Sequence, residues 1–234
     1  MDISILTDYS PLHFDGKRVL VRVDYNVPLQ KRGEKWLVSD DSRIRLSLDT
    51  LSYLVSSGAR VILLSHLGES ISLAPVAQKL NELAFGLIGY KRKVKFCPKI
   101  MGGEVKRWVK DLEKGDILLL ENLRFEKGEE KNDPLFTKRL AKLGDFYVNE
   151  AFSCSHRRHA SIVGLPRILS HAVGIRFEKE MKTLVNILDH PRRPVVLVLG
   201  GIKEDKLNYA QKMVGWIDKV LVGGKLVQSP KLKV

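Results

Sequence analysis

A three-layer α/β fold, a parallel sheet with helices on both faces, is what the sequence predicts, and three observations predict it. Short, nearly continuous apolar runs recur along the chain, as they do in strands covered on both sides. Helical patterns with recognisable caps lie between the runs, which implies right-handed crossovers and parallel pairing. The composition, 44% hydrophobic and 29% charged with 18 Gly in 234 residues, is that of a folded globular chain and excludes a disordered or fibrous one.

The first strand is expected at Arg18 to Val23. Ile44, Leu48, Leu51 and Val55 then repeat at helix spacing, with Ser39, Asp40 and Asp41 before them and Gly58 after the last turn. Strands follow at Arg60 to Leu64, Val94 to Phe96 and Asp116 to Leu120. Asp133 and Pro134 open a helix that runs through Phe136, Leu140 and Leu143 to Gly144, with cap acid, early proline and closing glycine where a helix prefers them. Another strand is expected at Phe146 to Val148. Phe177 to Asp189 is amphipathic, with Phe177, Met181, Leu184 and Leu188 on one face, and the HPRRP stretch after it reads as a junction. Strands at Val195 to Leu199 and Lys219 to Val222 lie beyond.

Forty Lys plus Arg against 27 Asp plus Glu give a net charge of +13, which favours anionic partners. Nucleic acid, a polyphosphate nucleotide and a small phosphorylated acid all qualify, and a solvated basic surface would carry the same number, so charge alone names no ligand. No apolar run reaches the length of a bilayer span. The opening MDISILTDYS has no basic n-region, so no secretory signal is read and a cytoplasmic location is expected. Cys97 and Cys154 have neither CxxC spacing nor a partner set for a metal, and are expected to be buried or idle thiols.

In a sheet of this kind ligands bind beyond the carboxyl ends of the strands. RVDYNVP places Arg22, Asp24 and Asn26 there; SHLG places His66; ENLRF places Arg124; NEAFSCSHRRH places His156 and Arg157; and DDSRIR brings Arg43 to the same rim. Singly, each has a plain structural reading as a turn cap, a surface ion pair or a core histidine. Together, a cluster of like charges on one face costs energy unless an anion neutralises it.

The segments VLVRVDYNVPL, DDSRIR, GARVILLSHLG, LLLENLRFEKGEEKNDP, YVNEAFSCSHRRHAS and VLGGIKEDK, in that order from about Arg18 to Gly224, resemble the phosphoglycerate kinase family. The resemblance implies Rossmann-like sheets in two domains: a 3-phosphoglycerate-binding domain over 1–172, an interdomain helix and hinge over 173–191, and over 192–234 the start of a nucleotide-binding domain, an incomplete, truncated second α/β domain. It implies a phosphotransferase of glycolysis and gluconeogenesis acting between ATP or ADP and the carboxyl group of 3-phosphoglycerate, with 1,3-bisphosphoglycerate as the phosphorylated partner. Carried over by motif, Arg22, His66, Arg124 and Arg157 would hold the substrate phosphate or lie in its basic patch, with His156 beside them. Asp24 and Asn26 would meet the glycerate end, and Arg43 the accepting carboxyl group. Gly200, Gly201, Lys203 and Lys206 would lie on the nucleotide side, with Arg43 and Lys203 as the catalytic cations.

Transfer between ATP and a carboxylate needs no general base, because the nucleophile is already ionised; it needs alignment and cations around the migrating group, which arginine supplies. The chain departs from the family pattern in three places. Glu69 follows SHLG where members commonly have arginine, and two residues separate Lys203 from Lys206 where the pattern has three. The later glycine-rich stretch with the magnesium-binding acid does not occur, so ATP or ADP would bind weakly or through a missing segment. Three functional readings follow: the kinase, with activity requiring more than this chain; a non-catalytic protein that holds a phosphorylated acid; and a basic nucleic-acid binder, for which the sequence offers charge and no recognition motif. A membrane partner is not expected.

Overall fold

The computed structural model describes residues 3–88, 90, 92–201 and 205–230. Its strands are, in chain order, β1 (Arg18–Arg22), β2 (Leu29–Arg32), β3 (Lys35–Val38), β4 (Arg60–Leu64), β5 (Lys95–Cys97), β6 (Ile117–Leu120), β7 (Phe146–Asn149), β8 (His171–Val173), β9 (Val196–Leu199) and β10 (Lys219–Val222). Its α-helices are α1 (Ser42–Arg45), α2 (Leu48–Ser56), α3 (Ala74–Ile88), α4 (Gly103–Lys110), α5 (Lys127–Glu130), α6 (Pro134–Ala141), α7 (Ile175–Asp189) and α8 (Asp205–Lys212).

Six strands form one parallel sheet in the order β5-β6-β4-β1-β7-β8. The chain works outward from β1 on one side, through β4 to β5 and β6, and then returns to β7 and β8 on the other. The order therefore reverses at β1, and a crevice opens beyond the strand ends at such a reversal.

Period-two alternation along these strands makes the three layers. Val19, Val21, Val61, Leu63, Ile117 and Leu119 enter one core with Leu51 and Leu54 of α2 and Leu80 of α3. Leu20, Ile62, Leu64, Leu118 and Leu120 enter the other with Val105 and Val109 of α4 and Leu140 of α6. Burying each such side chain contributes about 1.5–3 kcal/mol relative to exposure. Burial on both faces is why the strands read as continuous apolar runs.

The sequence reading has no counterpart for α3, α4 or β8, and two further features differ from it. The single helix expected through Ile44 and Val55 is broken into α1 and α2. The Ser47 hydroxyl at the break bonds the Ile44 carbonyl at 2.8 Å and the buried Tyr25 hydroxyl at 2.8 Å, a local alternative to the helical ladder. The antiparallel hairpin β2–β3, turning at Gly33 with φ +60, has no counterpart in the expectations, because its charged and exposed residues hide the strand alternation.

The chain divides into two compact units, Met1–Met181 and Lys182–Val234, with the boundary inside α7. The first holds the six-stranded sheet, and there Phe177 of α7 packs edge-on against Phe152 at 5.1 Å. Of the apolar stripe expected on α7, Phe177 is buried, whereas Leu184 and Leu188 are exposed. The second unit holds the parallel pair β9–β10 with α8 between them in sequence, around Leu199, Leu207 and Leu226. Asp218 ties its entry by accepting from Arg193 and from the Val195 N–H, at 2.8 and 2.6 Å. No helix among the described residues is long and apolar enough to cross a membrane.

Candidate anion-binding site

β1, β4, β6 and β7 each deliver polar residues to the crevice at their carboxyl ends. Arg22, the last residue of β1, is only 1% exposed. Its Nε donates to Ser161 Oγ at 2.9 Å, its Nη1 to the Val23 carbonyl, and its Nη2 meets His66 Nδ1 at 3.1 Å. His66, just beyond β4, is 3% exposed, and its Nε2 lies 3.3 Å from Nη1 of Arg157 on the loop after β7. Burial pushes the His66 imidazolium down to about 3, with Arg22, Arg124 and Arg157 adding to the fall and Asp24 opposing it. His66 is therefore neutral at physiological pH.

Beyond β6, Asn122 shapes the neighbouring turn. Its Nδ2 donates to the Leu67 and Ile71 carbonyls at 2.7 and 2.8 Å, and its Oδ1 accepts from the Arg124 N–H at 3.1 Å. Arg124 Nη1 in turn donates to the Gly68 carbonyl at 3.2 Å. Its buried Nε faces Glu130 at 3.1 Å as an ion pair, without hydrogen-bond alignment. From the β1 side, Asn26 Oδ1 accepts from the Gly68 N–H at 3.1 Å, and the Asn26 N–H donates to Asp24 at 3.2 Å. Asp24 pairs with Arg43 and accepts from the Ser153 hydroxyl at 2.5 Å. A cleft of about 160 Å³ lined by Asp24, Arg43, Glu150, Ser153 and Arg176 opens there.

Arg22, Arg124 and Arg157 thus surround a neutral imidazole, a surplus of donors and positive charge that an anion would satisfy. Asp24, His66 and Cys154 bring their donor atoms within 4.8 Å of one another, but the guanidinium groups around them suit an anion better than a divalent cation. A larger cavity of about 1060 Å³ lies at the opposite ends of β5 and β6, where Arg92 and Lys95 are already paired with Asp116. Sheet polarity favours the smaller cleft.

The family model described as phosphoglycerate kinase matches residues 9–229. This chain belongs to the phosphoglycerate kinase family. It is 46% identical over 222 residues to a phosphoglycerate kinase of Gloeobacter violaceus, covering 92% of this chain and 52% of that protein. It is 45% identical over 220 residues to one of Coprothermobacter proteolyticus, covering 91% and 54%. Among solved structures, phosphoglycerate kinase from Pyrococcus horikoshii OT3 superposes with a TM-score of 0.85 at 32% identity, over 97% of this chain and 56% of that one. The chain spans about half the length of the curated relatives it matches.

In this member of the phosphoglycerate kinase family, Arg22, His66 and Arg157 form one contiguous group, and Asp24, Asn26, Arg43 and Arg124 join through Gly68 and direct bonds. His156 is exposed and shares none of these bonds. Glu69, also exposed, directly follows the Gly68 that Asn26 and Arg124 grip. In the second unit, Gly200 and Gly201 follow β9, and Gly201 takes φ +108 where its backbone meets Gly224; a Cβ on Gly224 would lie 3.3 Å from the Gly201 carbonyl. Lys203 lies outside the described residues, as does the side chain of Lys206. Among the described residues the second unit brings together no group of three potential metal ligands.

Sequence reasoning missed Ser153, Ser161 and Glu129. Ser161 and Glu129 are fully or nearly fully buried and bonded to each other. Glu129 sits in the run EKGEEKNDP, which reads as solvated charge. Its burial is set by the fold around it.

Proposed function

We propose that this chain binds 3-phosphoglycerate in the crevice at the carboxyl end of its first sheet, and serves the phosphoglycerate kinase reaction, reversible phosphoryl transfer between ATP or ADP and the carboxyl group of that acid. The observation that carries the reading is the convergence of Arg22, Arg124 and Arg157 on a neutral His66, with the Asp24–Arg43 pair beside them, in a chain of this family. The guanidinium groups and His66 would hold the phosphate; Asp24 and Asn26 would meet the glycerate; Arg43 would face the carboxylate. That carboxylate attacks unaided, so the chain's part is to align it and to place positive charge where the transition state spreads negative charge. ATP with magnesium would supply the phosphoryl group and ADP would take it back in the reverse direction, and Gly200, Gly201, Lys203 and Lys206 would face the nucleotide. The magnesium ligands would come from outside the described residues.

Isothermal calorimetry with 3-phosphoglycerate, and with unphosphorylated glycerate as control, tests the reading. Heat from the first alone is expected. A folded protein that gives none at millimolar 3-phosphoglycerate would remove the substrate site.

A further inference from the structure

Glu129 on α5 has no place in that account, yet it is 1% exposed, and its link to the arginine cluster runs through Ser161. Every polar atom of Ser161 is engaged. Its N–H donates to Glu129 Oε2 at 3.0 Å and its hydroxyl to Oε1 at 2.5 Å, while its carbonyl accepts from the Tyr147 hydroxyl at 2.6 Å. It sits in a π-helical turn, Ala160–Gly164, a rare local structure that concentrates at functional sites.

Donor and acceptor roles along this chain of contacts are fixed from Glu129 as far as Arg22. A carboxylate only accepts, so the Ser161 proton is committed to Glu129 and the remaining lone pair of Oγ takes the Arg22 Nε–H. A guanidinium only donates, and each ring nitrogen of His66 faces one; the shorter contact, 3.1 Å from Nη2 of the buried Arg22 that Ser161 holds, makes Nδ1 the acceptor in preference to Nε2. A neutral imidazole carries one N–H, which then resides on Nε2. There it faces Arg157 Nη1 at 3.3 Å, so two donors converge on one point. The other groups acting on His66 are Arg124 from beyond β6, Asp24 from beyond β1 and Cys154 from the loop after β7.

We propose that Glu129 and Ser161, acting through Arg22, hold His66 as the neutral Nε2–H tautomer, so that with Arg157 it presents a hydrogen-bond donor, and not a second charge, to the phosphate group of a ligand. Glu129 and Ser161 are positioning residues. The identity of the ligand rests on the proposed function; the tautomer belongs to the free protein.

Nitrogen-15 NMR of the histidine-labelled full chain reads the tautomer directly. Expected for His66 is an unprotonated Nδ1 and a protonated Nε2, unchanged from about pH 8 to 5.5, because burial and three guanidinium groups oppose protonation. A proton on Nδ1, or an imidazolium within that range, overturns the proposal. Ser161→Ala should mix the two tautomers and weaken binding of inorganic phosphate about tenfold; an unchanged spectrum in a folded variant overturns the positioning role. If Ser161→Ala does not fold, the wild-type spectrum and its response to ligand still decide. Inorganic phosphate should shift the Nε2 resonance, and a resonance that neither it nor 3-phosphoglycerate moves removes the donor role. A shift with inorganic phosphate and none with 3-phosphoglycerate upholds the donor role and removes the proposed substrate instead.

Discussion

Arg43 and Glu69 lie on the same rim with opposite charge, and each makes a separate prediction about the ligand. Arg43 is half exposed and pairs with Asp24, so Arg43→Ala removes a cation and leaves a carboxylate unpaired beside the site. Affinity for 3-phosphoglycerate is expected to fall about tenfold or more, the scale of a lost charge-assisted bond, and calorimetry on the variant checks it. Glu69→Arg replaces an exposed repulsive charge next to Gly68 with an attractive one. The same titration at low salt should show binding about twofold to fivefold tighter, the range of exposed charge pairs; weaker binding would mean that Glu69 orients a neighbouring arginine. Sequence and structure part company at this scale in an instructive way. Arg22 announces itself at the end of an apolar run, and His66, Arg124 and Arg157 in the segments that follow such runs. Ser161 and Glu129 give no such sign, because their importance comes from a bond formed by residues 32 apart in sequence.

At the scale of elements, α7 is fastened to the sheet by a buried acid. Glu150, just past β7 and 6% exposed, accepts from the Thr50 hydroxyl at 2.7 Å and from the N–H groups of Arg176 and Phe177 in the first turn of α7, at 3.1 and 3.4 Å. A side chain at Gly174 would run into its carboxylate. Burial pushes the Glu150 carboxyl up from 4.5 to about 7, against the pull of those hydrogen bonds, with Asp49 adding to the rise. Between these values the folded chain keeps a proton that the unfolded chain has released, so the stability from this group is lost as pH rises from 4.5 to about 7. Glu150→Gln keeps an acceptor and removes the titration. Its urea midpoint should therefore fall less than that of the wild type between about pH 5 and 8; parallel slopes would assign the dependence elsewhere. The elements themselves were legible where burial on both faces made continuous apolar runs, as in β4 and β6. The hairpin β2–β3 was not, having little apolar surface to reveal, and the break before α2 depends on Ser47 finding Tyr25.

For the whole molecule, the net charge of +13 sets the salt response. Raising ionic strength from about 0.01 to 0.15 M shortens the screening length from about 30 to 8 Å, and the affinity for 3-phosphoglycerate measured by calorimetry should drop severalfold over that interval. A salt-independent affinity would point to contacts other than the arginines. The strand order has a kinetic corollary. Arg18, at the start of the central strand, bonds Asp145, 127 residues further on, and β1 and β7 pair only when that length of chain has closed into a loop. Such distant pairings are slow to form and tend to form late. The crevice lies at the tips of these two strands, so the route to the native state passes its barrier before the crevice exists to be occupied. A ligand held there should leave the refolding rate in a stopped-flow mixer unchanged and act wholly on the exit, lengthening the lifetime of the native state in denaturant in proportion to its saturation. Faster refolding with 3-phosphoglycerate present would mean instead that β1 meets β7 early, and that the crevice helps to build the sheet on which it stands.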